Sequence, residues 1–486
     1  MIEKNEVMKM EGIDYKKIGF KCGLEIHQQL ETGKLFCRCP SIVHDSDPDI
    51  HVRRRLRPVA GEGGHIDPAA LFEATKGRAI QYEGCSTSSC LVELDEEPPH
   101  EMDRDAFMTA LQVAKMMHCK TVDEVRVMRK IVIDGSNVSG FQRTSLIGSG
   151  GYIETSKGKV GIAGLFLEEE AAQKVSESSD VITYRLDRFG VTLIEVQTDT
   201  SIVDPDHAKE AAETIGMMLR STGKAKRGIG TIRQDVNVSV SGGARVEIKG
   251  FQELKGIPVV IDFEIKRQLD LVGRCERVNS EVRKAEPDLT TSFLRPMPGA
   301  KRMYPETDVA PVRITKEMLA EVKIPALLKD QIGGLASHFS LDKDIAATIV
   351  NDGLADDFKV LCEKCKSIKP SYIADVLLSG PKQAKKKSGK DISPTMHEWT
   401  ALFLGLDSGA VSKESVIDIL ATGKPLHEVL GHFKSMGDVE LDLAIKRIVD
   451  ANKGLPFNAL IGKVMAELRG KADGKKISDR LREIAK

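Results

Sequence analysis

Residues 236–249, VNVSVSGGARVEIK, alternate apolar and polar side chains on both sides of a glycine-rich turn. This period of two is typical of antiparallel strands, in which successive side chains point to opposite faces. A three-residue loop over residues 242–244 would place Val240 opposite Val246 and keep one face apolar. The other face would carry four polar side chains: Asn237, Ser239, Glu247 and Lys249. Such a face is usually solvated, but it could also form the floor of a polar active site.

Similar patterns extend along the first two thirds of the chain. Alternating segments lie at residues 20–26, 181–186 and 191–196, and helical patterns lie at residues 105–117 and 207–220. This mixture predicts an α+β fold built from hairpins, not a regular alternation of parallel strands and helices. After Val312 the strand patterns give way to amphipathic helices. We therefore predict three domains, at residues 1–311, 312–410 and 411–486.

The composition excludes several classes of protein. Of 486 residues, 41% are hydrophobic and 29% are charged, which excludes an intrinsically disordered chain. The 71 Lys and Arg residues nearly balance the 72 Asp and Glu residues, so the chain is not a uniformly basic nucleic-acid binder. Nine cysteines do not fit a secreted disulfide scaffold. With no visible signal peptide or long apolar run, we expect a cytoplasmic protein without a membrane segment.

Positive charge is concentrated near the C-terminus. Residues 451–486 contain nine Lys and Arg residues and four Asp and Glu residues, a net charge of +5. Residues 381–390 predict a lysine-rich loop around Lys385, Lys386 and Lys387. Such runs are usually solvated helix faces, and an RNA-facing patch is the alternative interpretation.

Carboxylates in apolar segments are candidates for a metal site. Glu25 and His27 would share one face of the strand that begins at Phe20. Three glutamates follow an apolar stretch, Glu168, Glu169 and Glu170, and Glu195 lies alone in a hydrophobic strand. A buried carboxylate is costly unless it is paired or binds a metal. Together these residues indicate an Mg²⁺ site with mainly oxygen ligands, for which His27 would be an unusual ligand.

Known nucleotide and nucleophile motifs are absent from the sequence. There is no Walker A motif, dinucleotide fingerprint or kinase motif, so ATP would bind through a carboxylate-held metal and basic side chains. The basic candidates are Arg143, Arg233, Lys249 and Arg302. There is also no Gly-x-Ser-x-Gly elbow, and we do not expect the chain to hydrolyse glutamine by itself.

Four cysteines could form a zinc site: Cys37, Cys39, Cys85 and Cys90. The Cys-x-Cys spacing is tight, and the four residues between the second pair exceed the usual two. Zinc ligation and simple buried thiols are equally compatible with this spacing.

An ordered set of motifs resembles the GatB/GatE subunits of tRNA-dependent amidotransferases. The motifs are GLEIHQQL (23–30), KLFC (34–37), LEEEA (167–171), LIE (193–195), RQDVNVS (233–239) and MYPETD (303–308). The resemblance covers essentially the whole chain, and residues 90–100 and 128–137 are similar to the archaeal GatE branch. GatE normally carries an inserted domain similar to one in bacterial aspartyl-tRNA synthetases. Here residues 283–291 continue directly into residues 292–296, so the insert is absent.

The resemblance implies a fold and a reaction. The expected fold is an antiparallel-sheet catalytic cradle like that of glutamine synthetase and guanido kinases, followed by an all-α half with a YqeY-like tRNA-binding tail. The expected reaction is ATP-dependent phosphorylation of the glutamate γ-carboxylate on mischarged Glu-tRNA(Gln), then amidation by ammonia to Gln-tRNA(Gln). Such an enzyme is a carbon–nitrogen ligase with glutamine as amide donor. A GatD-like glutaminase would supply the ammonia within a heterodimer or heterotetramer.

The same resemblance implies roles for individual residues. Glu25, His27 and Glu169 would hold Mg²⁺, and Glu168 and Glu195 would complete the site or hold a second ion. The residues expected to bind ATP or substrate are Gln142, Arg143, Arg233, Asp235, Asn237, Glu247 and Lys249. Two alternatives remain: a GatB-type subunit that acts on Asp-tRNA or Glu-tRNA with GatA and GatC, and a non-catalytic tRNA-binding scaffold. The intact carboxylate set argues against the scaffold.

Overall fold

The computed structural model describes residues 13–55, 64, 66, 71–72, 74–132, 134–251, 253–297, 303–424, 426–429, 437–452, 455–468, 472 and 474–484. The chain divides into two compact units, Met1–Leu327 and Leu328–Lys486. All the described strands lie in the first unit, and the second is helical. The predicted α+β class with a helical C-terminal half is therefore confirmed. None of the described helices has the length and apolar character needed to cross a membrane.

The elements are numbered in chain order over the described residues. The strands are β1 (Lys21–Lys34), β2 (Ile50–Arg54), β3 (Ala79–Gly84), β4 (Lys120–Thr121), β5 (Glu124–Val125), β6 (Val127–Ile131), β7 (Phe141–Ser149), β8 (Gly151–Thr155), β9 (Gly158–Glu169), β10 (Gln173–Glu177), β11 (Val181–Arg185), β12 (Val191–Thr198), β13 (Ile232–Ser239), β14 (Val246–Lys249), β15 (Glu281–Ala285), β16 (Thr291–Pro296), β17 (Met303–Pro305) and β18 (Val312–Arg313). The helices are α1 (Arg104–Met116), α2 (Pro205–Ser221), α3 (Ile257–Gly273), α4 (Lys316–Glu321), α5 (Leu328–Phe339), α6 (Lys343–Asn351), α7 (Ala355–Lys364), α8 (Pro370–Ser388), α9 (Met396–Asp407), α10 (Val416–Ala421), α11 (Leu426–Val429), α12 (Asp438–Ala451), α13 (Phe457–Leu468) and α14 (Gly474–Ile484).

One large mixed sheet dominates the first unit. Its described strands follow the order β16-β15-β14-β13-β1-β12-β9-β7-β6-β17, with β4 paired to β7 and β8 paired to β9. Neighbouring strands are antiparallel except for β14 and β15. A smaller sheet has the order β10-β11-β3-β2, and β18 pairs with β5. Strand β1 therefore lies inside the large sheet, between β13 and β12.

Three helices cover one face of the large sheet. Leu24 and Ile26 of β1 are fully buried in a core that includes Phe107 of α1, Ile215 of α2 and Ile261 of α3. Burial of this apolar face fixes the register of the strands, because a slip of one residue would exchange the two faces. The side chains that alternate with Leu24 and Ile26 consequently lie on the opposite face.

The predicted hairpin of β13 and β14 is confirmed, but its predicted register is wrong by two residues. Val238, rather than Val240, pairs with Val246. The longer turn is held by a tertiary contact, because the Ser241 N–H group donates to the Ile18 carbonyl oxygen at 2.9 Å. A shift of two residues leaves every side chain on its predicted face.

Strands β15 and β16 are joined by a tight turn at the point where the resemblance places the missing inserted domain. The Glu286 N–H group donates to the Thr290 carbonyl oxygen, and the Leu289 N–H group donates to the Glu286 carbonyl oxygen, both at 2.9 Å. Leu289 has a φ of +66°. The chain thus forms a continuous hairpin where relatives would carry another domain.

The predicted lysine-rich loop is wrong. Helix α8 continues through Pro381 and ends after Lys385, Lys386 and Lys387, with Gly389 as a left-handed C-cap. A proline inside a helix removes one backbone hydrogen bond. Apolar residues of α8 pack in the helical unit, and lysines in the last turn interact favourably with the negative end of the helix dipole. The proline therefore does not end the helix.

Residues beyond 311 still belong to the first unit. Strand β18 pairs with β5, and Met318 and Leu319 of α4 pack against the core of the large sheet. At the other end of the chain, α12, α13 and α14 share a separate core that includes Leu441 and Leu481. The functional division at 1–311, 312–410 and 411–486 remains a prediction.

Candidate active site

The open face of the large sheet gathers polar side chains around β1. Glu25 and His27 alternate with the buried Leu24 and Ile26 and therefore point away from the covering helices. In the β1–β12 pairing, His27 lies opposite Glu195. In the β1–β13 pairing, Glu25 lies opposite Asp235. The predicted shared face of Glu25 and His27 is thus built into the sheet.

The first cluster consists of His27, Glu168 and Glu195, whose ligand atoms all lie within 4.8 Å of one another. His27 Nε2 lies 3.0 Å from Glu195 Oε2. Glu168 is held from the neighbouring strand, because the Thr144 hydroxyl donates to Oε1 at 2.6 Å and Gln142 Nε2 donates to Oε2 at 3.0 Å. These contacts fix the position and the orientation of two buried carboxylates.

The second cluster consists of Glu25, Asp235 and Glu247, whose ligand oxygens also lie within 4.8 Å of one another. Asn237 Nδ2 donates to Glu25 Oε1 at 3.0 Å. The Lys249 ammonium forms ion pairs with both Asp235 and Glu247. Of the residues predicted to bind ATP or substrate, Asp235, Asn237, Glu247 and Lys249 therefore lie together beside Glu25.

Crowded negative charge controls the ionisation of these groups. Burial raises the pKa of Glu25, and the charges of Glu195 and Glu247 raise it further. Burial and the charge of Glu195 also raise the pKa of Glu168. Burial acts in the same direction on Glu195, but Lys130 and His27 outweigh it and hold the pKa of Glu195 well below its usual range. These carboxylates and one imidazole are a donor set that fits divalent cations such as Mg²⁺.

Glu169 does not join either cluster. It pairs with Thr192, whereas Glu168 pairs with Leu193, so the two glutamates point to opposite faces of the sheet. Glu169 is buried on the helix-covered side, where Arg143 Nη1 lies 3.3 Å from its Oε1. The predicted grouping of Glu25, His27 and Glu169 is therefore corrected to two clusters without Glu169. The alternation of Leu165 and Leu167 with Phe166 already indicated this face for Glu169.

Arg143 is also corrected, from a phosphate-binding candidate to a buried partner of carboxylates. Its side chain is 5% exposed and contacts Glu169 and Glu306 on the helix-covered side. Arg233 instead lies opposite His27 on the open face, is 39% exposed and pairs with Glu170 at 2.8 Å. Arg233 therefore remains available to an anionic substrate at the open face.

Two outcomes complete the set of predicted residues. Gln142 lies beside the first cluster, as its bond to Glu168 shows. Arg302 lies outside the described residues. Lys130 was missed by the sequence analysis, although it is placed opposite Gln142 in the β6–β7 pairing and lies 2.7 Å from Glu168. Only the pairing of β6 with β7 brings this lysine to the cluster, and the sequence carries no local signal for it.

A separate group of thiols surrounds Glu93. Cys37, Cys39, Cys90 and Glu93 bring their ligand atoms within 4.8 Å of one another. Cys37 Sγ lies 2.9 Å from Glu93 Oε1, and Cys90 Sγ lies 3.1 Å from Glu93 Oε2. Burial and the Glu93 charge raise the pKa of Cys37. Burial and the hydrogen bond to Glu93 raise the pKa of Cys90 to about 12. Three thiols and a carboxylate could ligate zinc, or the thiols could simply donate to Glu93.

Cys85 is not part of this group, which corrects the predicted set of four cysteines. Its N–H group donates to Asp187 Oδ1 at 3.0 Å, and its thiol lies 3.8 Å from the Ser46 hydroxyl. Glu93 occupies the fourth position instead, and it also forms a buried ion pair with Lys34 at 3.1 Å.

The open carboxylate face belongs to a known class of catalytic domain. Residues 20–320 match the family described as the GatB/GatE catalytic domain, and the chain belongs to this family. It is similar over nearly its whole length to proteins named as the GatE component of glutamyl-tRNA(Gln) amidotransferase. The relative from Methanocaldococcus jannaschii is 35% identical, over 98% of this chain and 99% of its own length. The relative from Pyrobaculum calidifontis is 34% identical, over 97% of this chain and all of its own length.

These relatives are longer than this chain. The alignment with the Methanocaldococcus jannaschii protein spans 627 positions, which exceeds the 486 residues of this chain by 141. At least that many positions are therefore filled only in the relative. The difference agrees with the predicted loss of an inserted domain, and the placement of the loss at the β15–β16 turn remains a prediction.

Proposed function

We propose that this chain is the amide-forming subunit of a Glu-tRNA(Gln) amidotransferase. It phosphorylates the γ-carboxylate of the glutamyl group on Glu-tRNA(Gln) with ATP and then amidates it to give Gln-tRNA(Gln). The observation that carries the proposal is the pair of carboxylate clusters on the open face of a domain that belongs to the GatB/GatE family. The names of the relatives support the same substrate.

The chemistry has two steps. A γ-carboxylate oxygen attacks the γ-phosphorus of ATP, and the bond to the bridging β-phosphate oxygen breaks, which releases ADP. Ammonia then attacks the acyl carbon, the carbon–oxygen bond to phosphate breaks, and phosphate leaves with the electron pair while the nitrogen loses a proton to solvent. Divalent cations held by the two clusters would neutralise charge on the phosphates.

The side chains of the open face have separable roles in this scheme. Arg233 and Lys249 bind phosphate oxygens, because each projects a cation from the sheet near one cluster. His27 is oriented by Glu195. The sheet with one polar face and one helix-covered face supports a catalytic cradle similar to that of glutamine synthetase and guanido kinases.

The ammonia source is a partner subunit. The sequence lacks an amidase motif, so we propose a GatD-like glutaminase in a heterodimer or heterotetramer, with the whole assembly acting in the cytoplasm as a carbon–nitrogen ligase. Release of ADP from ATP tests the proposal. We expect ADP with Glu-tRNA(Gln), amidation with an ammonium salt alone, and glutamine-dependent amidation only after a glutaminase is added. Absence of ADP with every charged tRNA would contradict the proposal, and restoration by GatA and GatC would favour the GatB-type alternative.

The tail is expected to carry much of the tRNA affinity. Deleting residues 437–486 removes the separate core of α12, α13 and α14 and most of the C-terminal positive charge. A cut at 411 would also remove Leu420, which packs against Gly380. We expect tRNA binding to weaken about tenfold and to depend less steeply on salt, because phosphate contacts release counterions. The turnover at saturating substrate should persist. Unchanged binding at every salt concentration would show that the tail is only a solvated helical module.

Zinc content tests the thiol group. We propose that Cys37, Cys39, Cys90 and Glu93 hold one structural zinc ion. The purified protein should contain about one zinc per chain, and Cys90→Ser should reduce the content to near zero because three ligands bind zinc poorly. Cys85→Ser is the matched control and should keep its zinc. A zinc-free wild-type protein would leave the thiols as donors to the Glu93–Lys34 ion pair.

A further inference from the structure

Each carboxylate cluster of the open face contains one lysine ammonium. Lys130 Nζ lies 2.7 Å from Glu168 Oε1 and 3.7 Å from Glu195 Oε2. Lys249 pairs with two carboxylates of the second cluster in the same way. The lysines thus supply positive charge where a divalent cation would otherwise supply it. Lys249 was expected at a phosphate site from the sequence, whereas nothing in the sequence assigned Lys130 a role.

Lys130 is not needed to hold its two carboxylates. Glu168 already accepts hydrogen bonds from Thr144 and Gln142. Glu195 has two further partners, His27 and Gln197. Lys130 keeps 17% of its side chain exposed, and its four-carbon stem can swing without moving the strand. Its contribution to the cluster is therefore charge, and not position.

We propose that Lys130 is a mobile counter-ion of the active site. It neutralises Glu168 and Glu195 while no divalent cation is bound, and it turns to the ATP phosphates once these carboxylates are taken up by a cation. The reason is electrostatic, because two cations that share the same carboxylates repel each other at this distance. This inference rests on the proposed function for the identity of the phosphate ligand.

The displaced ammonium has a defined task in the transfer. A glutamate oxygen bonds to the γ-phosphorus while the bond from that phosphorus to the bridging oxygen breaks, so an electron pair and negative charge remain on ADP. Lys130 stabilises the phosphate oxygens during this step and transfers no proton. The same residue therefore opposes cation binding in the first stage and assists the reaction in the second.

Lys130→Met tests both stages, because the expected effects have opposite signs. Titration with MgCl₂ in a calorimeter, without nucleotide, should show at least about tenfold tighter binding than in the wild type, since a competing positive charge is removed. ADP formation with Glu-tRNA(Gln) should fall at least about a hundredfold. Lys130→Arg keeps the charge and should keep wild-type Mg²⁺ affinity. Lys120→Met on β4 removes an exposed lysine of the same sheet and should change neither measurement.

A purely structural role for Lys130 would weaken Mg²⁺ binding and catalysis together. Unchanged or weaker Mg²⁺ binding in Lys130→Met would overturn the proposal, and so would tighter Mg²⁺ binding with full ADP formation. If the wild-type protein forms no ADP with any charged tRNA, the proposed function fails. In that case the MgCl₂ titration still decides whether Lys130 competes with the cation.

Discussion

Glu195→Gln should lower ATP-dependent activation of Glu-tRNA(Gln) by about a thousandfold or more. The substitution removes a charged ligand from the cluster with His27 and Glu168, and stabilisation of transferring phosphate charge at such a site is worth several kcal/mol. The fold should survive because the amide is nearly isosteric with the carboxylate. ADP release at saturating ATP and charged tRNA measures the loss, and tRNA binding should be unchanged.

Two adjacent glutamates provide a matched comparison. Glu168→Gln should behave like Glu195→Gln, because Glu168 belongs to the same cluster. Glu169→Gln changes the next residue but faces Arg143 on the helix-covered side, so it should lower stability and retain most activity. If Glu169→Gln abolished ADP release while Glu168→Gln retained it, the assignment of faces would be wrong.

Glu306→Gln should destabilise the first unit by about 3 kcal/mol at neutral pH. Glu306 is fully buried as a side chain and binds Arg129 Nη2 at 2.5 Å and Arg143 Nε at 2.8 Å. Burial raises its pKa, but hydrogen bonds from Arg129, from the Asp308 N–H group and from Arg143 outweigh burial and lower the pKa to about 2. Both arginines would lose a charged partner in the variant.

The pH dependence gives this prediction its sign. The pKa of Glu306 is lower in the folded chain than the unfolded value of about 4.3, so its contribution is complete above that value and is lost as the pH falls towards 2. Denaturant unfolding of both proteins should therefore show a difference that is constant near neutrality and shrinks below about pH 4.3. Glu96→Gln is the control, because its exposed pair with Arg54 should contribute below about 1 kcal/mol. A difference independent of pH would exclude the ion pair as its source.

The faces of the strands could be predicted from local alternation. The apolar Leu24 and Ile26 placed Glu25 and His27 on the open face, and the structure confirms this arrangement. The alternation argument depends only on side-chain period and on the burial of one face, both of which are encoded within a few residues. The candidate carboxylates could be found for the same reason.

Contacts between distant segments could not be predicted in this way. The register of β13 and β14 depends on Ser241 meeting Ile18, and the exclusion of Cys85 from the thiol group depends on Asp187. Lys130 reaches its cluster only through the pairing of β6 with β7. Such contacts are set by tertiary packing, which can outweigh local propensity and spacing.

The turn between β15 and β16 offers a place for a foreign module. Pro287 and Asp288 are exposed, while the flanking hydrogen bonds hold the two strand ends close together. Insertions are tolerated best at exposed turns whose ends are already close. A fluorescent protein spliced between these two residues would therefore leave the pairing of the hairpin intact and would report tRNA docking by energy transfer from a labelled acceptor stem.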